Sequence, residues 1–224
     1  AFGWKKLYTF VIMVLDKKVA EQTVNFLTQI NAIKLNTKNP FTWTSGIKSP
    51  IYCDNRLVLS YPKIREFIAD SMTQIIKNKY GSNISIAGVA TGAIAVGAMI
   101  SERLNVPYAY VRPEPKGHGL RNQIEGNIEE KSNVVVIEDL ISTGKSSLNA
   151  INALKSEGIN VMGMLSIFSY NFDFANKKFI EEKVTINSLA DYNTLVEVSQ
   201  SNGDLNHEEI TRLKKWREDP ENWS

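Results

Sequence analysis

Residues 134–147 read VVVIEDLISTGKSS. Three valines and an isoleucine lead into two adjacent acids, Glu138 and Asp139. Leu140 and Ile141 follow, and then a turn of Ser142, Thr143, Gly144, Lys145 and Ser146 opens a helix. Free amides at a helix N-terminus make a nest for a phosphate, and carboxylates accept hydrogen bonds from sugar hydroxyls. Together they suit a ligand with a sugar diol beside a phosphate. A nucleotide P-loop is the competing reading, because Thr143-Gly144-Lys145-Ser146 resembles its end. That motif needs its first glycine at position 139. Asp139 would set a carboxylate against the phosphates there, so the P-loop reading fails. A capped helix with solvated acids leaves the acid pair unexplained.

Three further segments carry candidate chemistry. Residues 88–97 read GVATGAIAVG, and the small residues Ala90, Thr91 and Gly92 let a polyanion come close to the backbone. Close packing of a helix on a sheet explains the same residues equally well, and G-x-G-x-x-G is absent. Residues 112–119 read RPEPKGHG. Long loops in compact domains are usually functional or disordered, and here Gly and Pro surround Lys116 and His118 as in a mobile lid. Taken singly, a solvated lysine and a surface histidine are the ordinary explanations. Residues 41–56 read FTWTSGIKSPIYCDNR, with Gly46 and Pro50 suggesting strand, turn and strand. Tyr52, Lys48 and Arg56 are its candidate ligand contacts, although an aromatic in a strand is more often core.

The elements around these segments alternate in type. Helical spacing is expected over residues 19–33, 64–80, 93–104 and 146–157, the second and fourth closed by Gly81 and Gly158. Strands are expected over 84–90, 108–112, 134–137 and 161–168, with 113–131 a long polar loop. Two helices are expected within 188–224, around Ser201-Asn202-Gly203-Asp204. Apolar β-branched strands between helices indicate an α/β protein with a doubly wound parallel sheet. Ligands bind such sheets at the carboxyl ends of the strands, where all three loops fall.

Composition excludes several other classes. The 224 residues carry 26 Lys+Arg against 24 Asp+Glu, a net charge of +2, which is no footprint for a dedicated nucleic-acid binder. Cys53 stands alone, and with only His118 and His207 beside it a structural zinc site is not expected. The apolar run at 7–15 is too short to span a membrane and lacks a small-residue cleavage site. Residues 1–15 are therefore read as an extension, with Met13 a candidate start of the core. Residues 16–224 are read as one domain in a reduced, cytoplasmic setting.

Residues 134–147 resemble the phosphoribosyl-pyrophosphate (PRPP) motif of type I phosphoribosyltransferases. Arg112, Lys116 and His118 resemble the catalytic loop of the orotate branch, and residues 41–56 its F-x-x-x-S-G-x-x-S-P-x-Y hood element. The tail segments ADYNTLVEV and LKKWREDPENW are similar to that family's C-terminus. With four motifs in order over residues 16–224, the chain is identified as a member of the orotate phosphoribosyltransferase family. The resemblance implies that family's fold, with a small hood built from residues 16–60 and the C-terminal segment. It implies Mg²⁺ as cofactor, held mainly through PRPP, and a homodimer sharing its catalytic loop. It further implies Lys116, His118 and Asp139 as catalytic residues. PRPP contacts are implied from Arg112, Lys116, His118, from positions 138–146 and from Ala90, Thr91 and Gly92; orotate contacts are implied from Ser142, Tyr52 and Lys48. No nucleic-acid or membrane partner is implied.

Three departures accompany the resemblance. Pro113 stands where the family commonly has a second lysine, and Thr44 where many members have a lysine. Ser169-Tyr170-Asn171 occupies the place of an arginine that contacts the orotate carboxylate. That carboxylate's partner is left open among Lys48, Arg56 and backbone amides. Two alternatives remain: a phosphoribosyltransferase for another base, against which the hood element argues, and a non-catalytic PRPP-responsive regulator. The second would be expected to carry a DNA-binding element, and none is evident.

Overall fold

Buried apolar runs define the central sheet, and small polar turns define what surrounds its carboxyl ends. The computed structural model describes residues 13–43, 46–114 and 123–223. In chain order it begins with β1 (Met13–Val14), α1 (Lys17–Gln29), β2 (Ile33–Leu35), β3 (Phe41–Thr42), β4 (Lys48–Ser49) and β5 (Ile51–Cys53). A 3-10 helix (Asn55–Ser60), α2 (Pro62–Tyr80), β6 (Ser85–Val89), α3 (Ile94–Leu104), β7 (Tyr108–Val111) and β8 (Ile124–Glu125) follow. The chain continues through β9 (Asn133–Ile141), α4 (Lys145–Ser156), β10 (Asn160–Ser169), α5 (Asp173–Glu181), β11 (Ile186–Asp191), α6 (Tyr192–Ser201) and α7 (His207–Glu218).

Seven strands form one sheet in the order β1-β11-β10-β9-β6-β7-β8. All pairings are parallel except β7 with β8. β6 is buried at every residue because both faces are covered, by α3 on one side and α4 on the other. This is the doubly wound arrangement expected from the buried strand runs. The hood consists of two small antiparallel ribbons, β2 with β5 and β3 with β4. Trp216 of α7 is fully buried and donates from Nε1 to the Lys48 carbonyl at 3.1 Å, fastening the C-terminal helix to the hood.

Four expectations need correction. Among the described residues the sheet begins with Met13, which pairs with Asn187, so residues 13–14 belong to the core, as the reading of Met13 as its start has it, and the extension read over 1–15 is too long. α1 stops at Gln29 rather than reaching 33, because Asn31 adopts a left-handed φ of 56° that Asn tolerates, and Ile33 begins β2. The polar loop after β7 contains β8, making the segment a hairpin. Residues 188–191 are strand and not helix. β11 hides its character by burying Asn187 and Ser188, which are satisfied by Lys79 Nζ and by Ser166 Oγ at 3.0 Å respectively.

Candidate active site

The sheet brings the carboxyl ends of β6, β7 and β9 together around a cleft of about 600 Å³. Ala90, Arg112, Ser142, Thr143, Lys145 and Ser146 all line it. The turn from β9 into α4 works because Gly144 takes φ 77°, a left-handed conformation that costs glycine little. α4 then begins with no side chain capping it, which leaves its first-turn donors facing the cleft as an anion site. Leu140 is half-buried and Ile141 fully buried, so these two anchor the motif while the polar positions beyond them meet the cleft.

The two acids occupy different environments. Glu138 is 3% exposed, and its Oε2 accepts from Ser147 Oγ at 3.0 Å while Oε1 accepts from the Asp139 amide at 3.1 Å. It therefore clasps the strand end to the first turn of α4. Burial, reinforced by the neighbouring Asp139 charge, pushes its carboxyl well above the usual range. Asp139 is only partly buried, and its carboxylate lies directly against Gly92, where an added Cβ would sit 2.2 Å from Oδ2.

The Glu138 environment predicts a pH-dependent stability. A carboxyl whose folded pKa is raised favours folding in its protonated form, and that contribution disappears as pH rises through the folded value. Glu138→Gln should match the parent's thermal stability near pH 5 and exceed it near pH 8. Parallel melting curves check this; identical differences at both pH values would show that Glu138 does not titrate as described.

The glycine-rich segment divides its labour. Ala90 and Thr91 are joined by a cis peptide, and Gly92 follows in contact with Asp139. Gly88 and Gly97 instead admit Tyr108, whose hydroxyl donates to the Ile94 carbonyl at 2.7 Å, and so pack α3 on β6. The packing reading of this segment thus holds at Gly88 and Gly97.

The stem of the β7–β8 hairpin is closed by reciprocal bonds. The Arg112 amide donates to the Gln123 carbonyl at 2.8 Å, and Gln123 Nε2 donates to the Arg112 carbonyl at 2.9 Å. Asn149 Nδ2 of α4 donates to the Pro113 carbonyl at 2.6 Å, tying the stem to the cleft. The Arg112 guanidinium pairs with Glu125 at 3.5 Å. Lys116 and His118 lie outside the described residues.

In the hood, Tyr52 is 39% exposed with its ring 5.6 Å from Phe41, so it presents a face to solvent rather than to the core. Lys48 is exposed and has no carboxylate partner among the described residues. Arg56 is held bidentately by Asp54, at 2.7 Å from Nε and 2.8 Å from the terminal nitrogen, and this pair keeps the Asp54 carboxyl below its usual range. Sequence reasoning passed over Asn55, which is 1% exposed and donates from Nδ2 to the Asp139 carbonyl at 2.7 Å. Its position one residue before Arg56 gave no signal, because the contact spans 84 residues.

Residues 58–187 match the phosphoribosyl transferase domain family. The chain is 48% identical over 209 residues to an orotate phosphoribosyltransferase of Phocaeicola vulgatus, spanning 93% of this chain and 97% of that protein. The chain belongs to the orotate phosphoribosyltransferase family. Its relative of the same name in Listeria innocua is 46% identical over 211 residues, spanning 94% of this chain and 99% of that one. Among solved structures, orotate phosphoribosyltransferase from Aeropyrum pernix has a TM-score of 0.70 and 28% identity, over 82% of this chain and 99% of that one. An adenine phosphoribosyltransferase from Leishmania tarentolae shares the fold, with a TM-score of 0.55 and 21% identity over 66% and 80% of the two chains. Enzymes named for different bases thus share this fold.

For this orotate phosphoribosyltransferase family member, the Ser169-Tyr170-Asn171 departure is internally committed. Tyr170 is 1% exposed, stacked 5.6 Å from Phe172 and tilted against Trp43 at 5.0 Å. Ser169 Oγ accepts from the Asn171 amide at 2.9 Å, and Asn171 Oδ1 accepts from Asn176 at 2.7 Å. No cation comes from these three residues. Thr44 lies outside the described residues.

Proposed function

We propose that this protein transfers the 5-phosphoribosyl group of PRPP to orotate, giving orotidine 5′-monophosphate and pyrophosphate in pyrimidine synthesis. The observation that carries the reading is an uncapped helix N-terminus lining one cleft, with the partly buried Asp139 on the strand that leads into it, in a chain nearly half identical to orotate phosphoribosyltransferases over most of its length. A ring nitrogen of orotate attacks C1 of the ribose, forming the N–C1 bond as the C1–oxygen bond to pyrophosphate breaks, and the proton of that ring nitrogen passes to the departing pyrophosphate. The amides and hydroxyls of residues 142–146 hold the 5′-phosphate, and Asp139 orients the ribose hydroxyls. The backbone of Ala90, Thr91 and Gly92 borders the pyrophosphate. Arg112 and Lys116 meet negative charge where it develops on the leaving group, the interaction that lowers the barrier, and His118 assists in the same loop. Tyr52 and Ser142 bound the base.

Among the described residues no three His, Cys, Asp or Glu side chains gather to hold a metal. We read the Mg²⁺ as carried mainly on substrate phosphates, as Mg²⁺ usually is. When bound, the ion neutralises charge on the pyrophosphate. We read the working unit as a homodimer that shares its hairpin loop between subunits, in the cytoplasm. Among the described residues no helix is long and apolar enough to cross a membrane.

Loss of orotate absorbance that requires both PRPP and Mg²⁺, and stops on chelation, is the expected assay result. The base preference tests the hood. Orotate differs from uracil chiefly by a carboxylate, which needs a cationic or amide partner when enclosed. Charge-assisted hydrogen bonds contribute about 1.5–3 kcal/mol. Lys48→Met should therefore lower the orotate-to-uracil ratio of kcat/KM by about tenfold or more. Arg56→Met should lower it less, because Asp54 already occupies that guanidinium. Equal use of both bases by the parent protein would refute the orotate assignment while leaving phosphoribosyl transfer intact.

A further inference from the structure

β9 outruns its neighbour on one side. β6 pairs with it only as far as Ile137, whereas β10 continues to Ile141. The backbone that carries Asp139 is therefore laddered on one side only, at the point where the ligand is to be held. Asn55, at the start of the 3-10 helix that leaves the hood, reaches this stretch and donates to the Asp139 carbonyl at 2.7 Å. Its own orientation is set from the other end, where Cys53 Sγ donates to Asn55 Oδ1 at 3.2 Å. Burial, with Asp139 and Asp54 nearby, pushes the Cys53 thiol well up and keeps it a protonated donor. Asp139 is thus gripped twice, by Asn55 at its carbonyl and by Gly92 against its carboxylate.

We propose that Asn55 is a positioning residue for PRPP use, acting through Asp139 and making the base-side hood and the ribose-side strand end one mechanical unit. The proposal rests on the reading of Asp139 as a ribose contact. A buried carbonyl that loses its donor is costly, and the strand end relieves that cost by shifting. The carboxylate then leaves the position that Gly92 defines.

A double-mutant cycle on the full chain tests this. Asn55→Asp keeps the shape and the acceptor for Cys53 but removes the donor, and it should lower kcat/KM for PRPP by about tenfold or more. In an Asp139→Asn background the same change should cost less than about twofold, because residues acting through one group are not additive. If Asn55→Asp does not fold, Asn55→Ser runs the same cycle. Equal losses in both backgrounds, or no loss in the parent, would overturn the positioning role while leaving Asp139 in place. Unimpaired PRPP use by Asp139→Asn alone would overturn the ribose reading and this proposal together.

Discussion

Gly92→Ala is expected to lower kcat/KM for PRPP by about 10²-fold in a protein that remains folded. The added Cβ would lie 2.2 Å from Asp139 Oδ2 and 2.3 Å from Cγ, far inside van der Waals contact. Gly92 is not among the positive-φ glycines, so alanine meets no backbone penalty there. The whole effect falls on the carboxylate, which must rotate away or push the Ala90–Thr91 backbone aside. Misplacing a reacting or orienting group by about 1 Å costs on the order of 10²-fold. Gly88→Ala supplies the contrast. Its Cβ would meet the Tyr108 hydroxyl at 2.6 Å and the Ala93 carbonyl at 2.8 Å, both in the α3–β6 packing. That variant should lose stability, about 1–3 kcal/mol as for other overpacked sites. Steady-state kinetics and thermal unfolding on both proteins separate the cases. A Gly92→Ala enzyme that is unstable but otherwise fully active would show that the segment serves packing alone.

Lys116→Ala should cut turnover by about 10²–10³, the scale for removing a donor that meets charge developing in the transition state. Affinity for a 5′-phosphate product should change far less, because in the proposed mechanism residues 142–146, and not Lys116, hold the phosphate. The hairpin stem makes this expectation geometric. Tyr110 pairs with Glu125 and Val111 with Ile124, and Asn149 ties Pro113 to α4. The residues that lead into the segment carrying Lys116, Pro113 and Glu114, line the cleft. Product titration beside single-turnover kinetics decides it. Collapsed product affinity with preserved turnover of bound substrate would reassign the lysine to phosphate binding.

Short-range patterns made much of the molecule legible. The β-branched run before Glu138 and Asp139 identified a strand buried on both faces, and the Ser/Thr/Gly turn identified the start of α4 at its end. Gly81 and Gly158 marked two helix ends, and residues 41–56 marked the hood. These signals are local, since they arise from side-chain period and from backbone conformations that few residues adopt. Partners distant in the chain were illegible for the same reason. β11 was missed because its Asn187 and Ser188 look solvent-facing until Lys79 and Ser166 arrive to satisfy them. Tyr170 stood at an expected ligand position, yet Trp43, Phe172 and Trp216, from three different parts of the chain, make it core. Sequence alone supplied the two acids as an equivalent pair. Only the tertiary structure separated them: Ser147 and burial draw Glu138 inward as a clasp, while Asp139 stays partly open, with Asn55 on its carbonyl and Gly92 against its carboxylate. Adjacent strand residues point to opposite faces, so what each acid can do is decided by the element packed on its own side.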